Sequence, residues 1–534
     1  MFAGGWTVAA AEAVCGGDGL EEGEVLEGLF RLADRSLIVR GTTPVVAAGR
    51  EPARFTMLES LRAYGAERLA EAGEADAVAA RHTAFFLDLA EEAAAHRTAR
   101  PWLWRVRADY GNLRAALDRV MAAGDLDTAL RLAGALGWFW STDHTIEGRQ
   151  RLAAVLALAD GRPPTPELAR VLQVQAITEV ALTPTEATVA AAQRSRELFE
   201  RFGDRQGAAF SKLLIGWAEL QRGGPGGAAL RLVEEAAATF NELGDAWGQA
   251  FAGHSRFVFE TYHHGLSERT QRAGREALER YQALDDQFGL AQAQFTLAEM
   301  ATALGDLDAA KAGYAGTVAA ARDGGPLWAH MAALVRLGTL LSLEGEEDRA
   351  AALQAEAVAL ARRSGQRRAF GHLYNELGAV ARFRDDLERA RQLHQEALAI
   401  VRGLIGWSVP HTLASLACAE ARLGDLDGAA AHLREAAGLL LSTPQPATAA
   451  LLLTGEALVA LGRDRPERAA RLLAAAETTH RRIGTVPVGA ERRELELATG
   501  AVEAALDPGT LAAARAAGRA LAMEDALREV VASA

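Results

Sequence analysis

Turn-forming residues recur along most of this chain at a nearly constant interval of about 40 residues. They lie near His144, Pro184, Gly224, Gly265, Gly305, Gly345, Asp385, Gly424 and Asp464. The segments between them are apolar with the period of a helix. A fixed period of this length predicts an array of similar structural units rather than a set of independent globular domains.

Small and large residues occupy fixed places within each unit. Four turns are followed by near-copies of one sequence, such as GDLDAAKAGY from Gly305 and GDLDGAAAHL from Gly424. Five residues after the turn lies an alanine: Ala229, Ala310, Ala350, Ala390, Ala429 or Ala469. Eight residues before it lies Leu297, Leu337, Leu377 or Leu416, each followed by Ala or Gly. Small side chains at these places allow two antiparallel helices to pack closely, so each unit is predicted to be a helical hairpin.

A second set of glycines falls midway between the turns, where one hairpin ends and the next begins. These are Gly203, Gly244, Gly325, Gly365, Gly406 and Gly484. Isolated hairpins of this size cannot bury their apolar faces, so they are expected to stack. The predicted fold class is all-α, an α-solenoid formed by a superhelix of such hairpins.

Composition supports a helical chain and excludes several functions. Half of the residues are hydrophobic but only 6% are aromatic, and 57 basic residues face 70 acidic ones, for a net charge of −13. No apolar run reaches the roughly 18 to 20 residues of a membrane helix, and the opening residues lack the positive region of an export signal. We therefore expect a cytoplasmic chain with no membrane contact.

No motif indicates a catalytic, cofactor or metal site. Neither lysine, Lys212 or Lys311, lies in the Gly-x-x-x-x-Gly-Lys pattern of a phosphate-binding loop. The sequence GHSRF from Gly253 lacks the closing glycine and the preceding strand of a nucleophile elbow, and is expected to be helical. Cys15 and Cys418 are expected to be small core residues.

The repeats resemble tetratricopeptide repeats, in which the first helix carries Leu followed by Gly or Ala and the second begins near a small Ala, although these units are about six residues longer. On this basis, we predict a repeat solenoid over 126–482 and a C-terminal helical cap over 483–534. Residues 96–125 are expected to form a helical junction, and residues 1–95 a separate domain.

The first domain has its own pattern. A helix near 24–34 leads to SLIVR at 36–40, then to RFTML at 54–58 and to a helix over 59–72. Helix, strand, turn, strand, helix is typical of a winged helix, here with a long loop between the strands. The segment LFRLADRSLIVR, together with RFTMLESLRAYGAERLAEAGEADAVAARHTAFFLDLAEEA, resembles the end of the winged-helix module in STAND-type ATPase transcriptional regulators of the AfsR/LuxR-like class.

That resemblance implies a longer architecture. In such regulators a nucleotide-binding module precedes the winged helix, a helical-repeat sensor follows it, and a helix-turn-helix often ends the chain. The opening FAGGWTVAAAEAVC and the closing RAAGRALAMEDALREV are similar to internal parts of those proteins, so both ends are expected to be truncated.

Direct contact of this chain with nucleic acid is not expected. Residues 1–80 hold seven arginines and thirteen acids, a charge balance that repels phosphate. The resemblance implies that the winged helix instead packs on the ATPase module and transmits its state.

Function in a solenoid usually lies on its concave surface, which the first helices line. Projecting the repeat onto that helix places a set of more polar residues inward: Ser211, Gln292, Phe295, Glu299, His372, Asn375 and His411, with His254 nearby. Cys418 falls on the same face in this projection. A groove of this kind could receive a protein, a peptide or a small-molecule inducer, and a solvated helical face stays an alternative.

Two aromatic sets have alternative explanations. Trp247, Phe288, Trp328 and Trp407 share one repeat position and are predicted to fill the seams between units rather than to contact a ligand. The cluster from Trp102 to Trp140 is predicted to pack at the junction before the solenoid, with a binding pocket as the alternative.

The sequence therefore predicts a non-enzymatic sensor and scaffold region of a signal-responsive transcriptional regulator. A free-standing interaction scaffold without regulatory output is the alternative, and an α/α-toroid enzyme is a weaker one.

Overall fold

A computed structural model of the chain describes residues 1–17, 20, 22–41, 53–96, 100–182, 184–222, 226–322, 324–364, 367–402 and 408–532. Within these residues lie 26 helices and three short strands. The strands are β1 (Trp6–Thr7), β2 (Ile38–Gly41) and β3 (Arg54–Met57). The helices are α1 (Val8–Cys15), α2 (Glu22–Asp34), α3 (Glu59–Glu71), α4 (Ala75–Ala95), α5 (Arg100–Ala123), α6 (Leu126–Thr142), α7 (Thr145–Leu158), α8 (Pro166–Leu182), α9 (Glu186–Phe202), α10 (Arg205–Gln221), α11 (Gly226–Leu243), α12 (Ala246–His264), α13 (Glu268–Ala283), α14 (Gln287–Leu304), α15 (Leu307–Arg322), α16 (Leu327–Leu343), α17 (Glu347–Ser364), α18 (Arg367–Phe383), α19 (Leu387–Val401), α20 (Ser408–Leu423), α21 (Leu426–Ser442), α22 (Pro446–Gly462), α23 (Pro466–Ile483), α24 (Gly489–Ala505), α25 (Pro508–Ala520) and α26 (Met523–Ala532).

The chain divides into two compact units. The first comprises residues 1–141 and 147–175, and the second comprises residues 142–146 and 176–534. The division at about residue 175 lies inside the predicted solenoid range. The predicted domain boundaries stay predictions.

The first unit contains a small antiparallel sheet of order β1-β3-β2. The segments predicted as strands at 36–40 and 54–58 form β2 and β3, in which Ile38 pairs with Met57 and Gly41 with Arg54. Strand β1, which pairs Trp6 with Phe55, was not predicted from the sequence. The long loop predicted between the two strands, 42–52, lies outside the described residues, and the winged-helix interpretation stays a prediction.

The core of the first unit is built by aromatic and leucine side chains. Phe86, Leu113 and Trp140 are fully buried, and the Trp140 indole donates a hydrogen bond to the Tyr110 hydroxyl at 3.0 Å. One prediction was wrong here. Cys418 of the second unit is buried as expected, but Cys15 is exposed because α1 ends at this residue.

The second unit is an array of helical hairpins, which confirms the predicted α-solenoid. Its turns fall where the 40-residue period places them, between α12 and α13, α14 and α15, α16 and α17, α18 and α19, α20 and α21, and α22 and α23. Gly305, Gly345 and Gly424 adopt positive φ angles of 80°, 83° and 88°, and Asp385 takes the equivalent turn position at 64°. A left-handed residue is what reverses the chain in each hairpin. The predicted turn residue Gly224 lies outside the described residues.

The small residues of the repeat lie where the two helices of a hairpin approach most closely. Ala310, Ala350 and Ala390 are at most 1% exposed. A Cβ atom on Gly338 of α16 would lie 3.3 Å from the carbonyl oxygen of Ala350 on α17, at the limit of normal packing. The predicted knob-and-hole contact is therefore present in the hairpin.

The segment GHSRF lies inside α12, as predicted. In the described residues, no helix combines the length and the apolar character that crossing a membrane would require.

Candidate functional site

The first helices of successive hairpins pack against one another along the array. Contacts join α10 to α12, α12 to α14, α14 to α16, α16 to α18, α18 to α20 and α20 to α22. We call these seven helices the inner row. Each second helix from α11 to α21 contacts the first helix of its own hairpin and the first helix of the next. The inner row is the surface on which a repeat-based site is expected.

Two of the predicted site residues are buried near the start of the inner row. Ser211 on α10 is fully buried, and its hydroxyl donates to the Gly207 carbonyl at 3.0 Å and lies 3.1 Å from the Ser195 hydroxyl. His254 on α12 is 2% exposed and stacks on Trp217 at a ring distance of 6.4 Å. Burial lowers the pKa of His254 to about 4, so this histidine is neutral at physiological pH.

Three predicted residues lie together on α14 and are half-buried. Phe295 packs edge-on against Trp328 at 5.5 Å. Gln292 has a buried side-chain oxygen that makes no hydrogen bond within the described residues. Glu299 accepts a hydrogen bond from the Tyr314 hydroxyl and lies 3.0 Å from Arg336.

The remaining three lie on α18 and α20. His372 and His411 are half-buried, whereas Asn375 is 5% exposed and its amide oxygen lies 2.9 Å from Nδ1 of the fully buried His394. Burial lowers the pKa of His411 to about 4, and this effect exceeds the opposing influence of Glu376. The structure thus places all eight predicted site residues on helices of the inner row. The side chains of Ser211, His254 and Asn375 are buried. The assignment of all eight to a ligand groove stays a prediction.

The inner row also carries ion pairs between repeats, which the sequence analysis missed. Arg336 on α16 lies between Glu299 on α14 and Glu376 on α18, with an Arg336–Glu376 distance of 2.8 Å. Burial alone would lower the pKa of Arg336, but the two carboxylates outweigh it and raise it. Arg336 and Glu376 are separated by 40 residues, so opposite charges at one repeat position were a signal available in the sequence.

A second group of charges is buried where α18 and α20 end. Glu494 on α24 is fully buried, with one carboxylate oxygen 2.6 Å from Arg382 and the other 3.5 Å from Arg422. Arg382 is 3% exposed. The Arg422 guanidinium donates a hydrogen bond to the backbone carbonyl oxygen of Arg382 at 3.0 Å. Burial is the largest single influence on the pKa of Arg382 and lowers it, but Glu494, together with Cys418 and Glu491, outweighs burial and raises that pKa overall. The pairing partners are 112 and 72 residues apart in the sequence.

The chain that brings Glu494 to this position crosses the turn-side ends of four earlier hairpins. The Leu266 amide meets the Ile483 carbonyl at 3.4 Å, and the Val486 amide donates to the Ala303 carbonyl at 2.8 Å. Farther along, Gly489 lies beside Leu343. We call residues 483–494 the return segment. It covers one end of the inner row, a feature that the repeat period did not predict.

Arg493, next to Glu494, links the return segment to the end of α18. Its guanidinium donates to the Phe383 carbonyl at 2.9 Å and pairs with Asp385, which also pairs with Arg422. Helix α24 then contacts α18 as well as its neighbours α22 and α23.

The aromatic residues at one repeat position fill seams between hairpins, as predicted. Trp247 on α12 packs against Phe210 of the preceding hairpin at 5.5 Å and donates to Asp286, which caps the next first helix, at 3.0 Å. Phe288 is 8% exposed. Trp407 lies outside the described residues.

The second aromatic cluster belongs to the first unit. Phe139 contacts Tyr110 at 5.0 Å, Trp102 stacks on His96 at 5.5 Å, and Arg107 lies over Trp104. These contacts account for the cluster by packing within the unit.

Known proteins match this chain in part. No family model matches it. Two proteins described as HTH-type transcriptional regulators, one from Mycobacterium bovis and one from Mycobacterium tuberculosis, are 33% identical to this chain over 215 residues. This match covers 38% of the chain and 23% of each relative, so the chain is homologous to such regulators over part of its length. It spans less than a quarter of the curated relatives that it matches.

Solved helical-repeat structures were also found. A Rap protein complexed with competence and sporulation factor matches 71% of this chain and 99% of its own, with a TM-score of 0.43 and 13% identity. Yeast Tom70 matches 82% and 94%, with a TM-score of 0.37 and 13% identity. A STAND protein with a tetratricopeptide repeat sensor from Pyrococcus horikoshii matches 62% and 52%, with a TM-score of 0.37 and 14% identity.

Proposed function

We propose that the chain is the sensor region of a signal-responsive transcriptional regulator, and that its inner row binds a protein, a peptide or a small-molecule inducer. The observation that carries this proposal is the polar character of the inner row. Stacking of hairpins requires apolar and small residues, yet the half-buried Glu299 and Arg336 and the buried Glu376 form a charge network between repeats. Partial homology to HTH-type regulators supports the regulatory setting.

The predicted site residues fall into two groups, those that would contact the ligand and those that would act indirectly. Gln292, Phe295, His372 and His411 are half-buried and would contact the ligand. The buried oxygen of Gln292 is an acceptor that a ligand donor would satisfy, which is favourable because an unpaired buried polar atom costs about 1–3 kcal/mol. Glu299 would position Phe295 through Tyr314, whose hydroxyl donates a hydrogen bond to Glu299 and whose ring packs on Phe295. Ser211, His254 and Asn375 would stabilise the helices of the inner row.

Residues 1–95 would act as a winged-helix-like module that reports the state of the sensor. Its acid-rich sequence supports contact with protein rather than nucleic acid. Coupling requires that the ligand bind one posture of the chain better than another. Such a regulator would also need an ATPase module and a helix-turn-helix module, and it would work in the cytoplasm.

Native mass spectrometry of the full chain, mixed with peptide and metabolite extract of its host, tests the binding proposal. We expect a retained ligand that is lost when Gln292 and His372 are both changed to alanine. Asp308→Ala, at a side chain that is 93% exposed on the second helix α15, is the matched control and should retain it. Equal retention by the Gln292/His372 variant would contradict the proposed site.

Genomic context tests the regulatory part separately. An ATPase module or a helix-turn-helix encoded next to this sequence supports a regulator. Neighbours without either module support a free-standing interaction scaffold instead.

A further inference from the structure

We propose that Arg382 and Arg422 form a carboxylate-binding site that Glu494 fills from within the chain, and that an acidic partner segment occupies the same site when α24 withdraws. This inference deepens the proposed function, because it names the chemistry of one part of the partner. It depends on the inner row being a recognition surface.

The two arginines form a built site. They lie at the ends of neighbouring first helices, 40 residues apart, and Arg382 is 3% exposed while the Arg422 side chain is 10% exposed. Arg382 has a second polar neighbour in the Ser415 hydroxyl, at 3.5 Å, and its buried Nε makes no hydrogen bond in the described residues. The buried Arg382 guanidinium requires an anion, since an uncompensated buried charge is strongly unfavourable. Arg422 beside it also pairs with Asp385.

The anion that fills the site comes from a different part of the fold. Glu494 lies on α24, beyond the last closely similar hairpin. It is the last residue of the return segment, which brings it to the two arginines. The carboxylate is shared by two guanidinium groups that belong to two repeats. A planar, charged, multiply hydrogen-bonding donor set of this kind is suited to carboxylates.

Withdrawal of α24 would leave a positive site. Glu491, Arg493 and Glu494 leave together because they lie on one helix, so withdrawal removes a net charge of −1 from the site. Arg382, Arg422 and Asp385 stay behind with a net charge of +1, in a pocket that has lost its nearest carboxylate. An acidic side chain or a C-terminal carboxylate of a partner segment restores the lost pairing, whereas a basic segment does not.

Rescue by a small carboxylate tests the site in the full chain. Glu494→Ala removes the carboxymethyl group, which acetate reproduces in size and charge. We expect a lowered thermal unfolding midpoint that acetate raises more than chloride at equal ionic strength, while wild type responds to the two salts alike. Glu496→Ala, on the same helix at a side chain that is 64% exposed, is the control and should show no acetate effect.

A second variant keeps the test decisive if Glu494→Ala does not fold. Glu494→Gln preserves the shape and removes only the charge, so it should fold and still lose stability. Equal stability of Glu494→Gln and wild type, or an acetate response of Glu494→Ala that survives Arg382→Met, would overturn the site.

Fluorescence anisotropy then distinguishes a peptide from a small carboxylic acid as the occupant. The probe is a labelled peptide with the sequence of residues 488–505, titrated with the full-length Arg493→Ala/Glu494→Ala variant. We expect at least tenfold tighter binding than to wild type, and loss of that gain when the glutamate of the peptide corresponding to Glu494 is changed to Gln. Equal binding of the Glu and Gln peptides would refute a peptide occupant.

The outcomes separate this inference from the proposed function. Absence of acetate rescue removes the carboxylate site and leaves ligand binding at Gln292 and His372 untouched. Conversely, if no ligand binds at Gln292 and His372, a positive acetate result still supports the carboxylate site.

Discussion

Replacing Ala350 with leucine should separate the second helix of its hairpin from the first. Ala350 is 1% exposed, and the adjacent contact with Gly338 is already at the limit of normal packing. Leucine adds three carbon atoms at this point, and overpacking a filled core costs about 1–3 kcal/mol. We expect the loss to concentrate in α16 and α17.

Hydrogen exchange of the native protein measures that loss locally, so that α16 and α17 are read separately from the rest of the array. A loss of about 1–3 kcal/mol corresponds to roughly 5- to 150-fold faster exchange of the protected amides. The relevant peptides cover Leu327–Leu343 and the first half of α17.

Ala355→Leu is the matched control, since it makes the same substitution on the exposed side of the same helix. Surface changes of this kind usually alter stability by less than about 0.5 kcal/mol. If both variants exchange at the same rate, close packing of small residues does not hold the hairpin together.

Three further predictions use other parts of the array. His254→Gln should flatten the pH dependence of urea unfolding: the folded pKa of about 4 lies below the ordinary 6.5, so wild type loses up to about 3 kcal/mol as the pH falls from 6.5 to 4. An unchanged slope would contradict the neutral buried histidine. Asp425 caps α21 by accepting a hydrogen bond from the Gly428 amide at 3.0 Å. Asp425→Ala should therefore cost about 1 kcal/mol by thermal unfolding, whereas Asp425→Asn should cost little, and equal losses would show that the cap is unimportant. Gly345→Ala should destabilise the chain by about 1–2 kcal/mol because φ is 83° there, whereas Gly438→Ala, in open space on α21, should stabilise it by about 0.5–1 kcal/mol. Changes of the same sign would refute the turn assignment.

The repeat was predictable because local chemistry marks it. Gly305, Gly345 and Gly424 are needed where the chain takes a left-handed turn, and alanines such as Ala390 are needed where two helices touch. These requirements recur at a fixed interval, so the sequence displays them directly. The strand β1 has only two residues, which is too few for an alternating pattern to be detected.

The candidate site was only partly predictable. The repeat phase placed Glu299 and His411 on the inner row, and the charges of Arg336 and Glu376 at one repeat position could have been found by the same means. The contact of Glu494 with Arg382 could not, because 112 residues separate them and α24 has no close copy in the repeat.

Burial also limits what a helical projection can say. Ser211 and Asn375 share the inner row, but a neighbouring helix covers each of them. A projection assigns the face of a helix and does not show what packs against it.

Distances between spin labels at Asp308, Asp348 and Glu388 test most directly whether the hairpins stack at one repeat interval. These exposed residues are 40 apart, at equivalent positions on α15, α17 and α19. Pulsed electron resonance of the pairs 308/348 and 348/388 should give equal, narrow distance distributions, and the pair 308/388 a longer single distance. Broad or unequal distributions for the first two pairs would contradict a stacked array of equivalent hairpins.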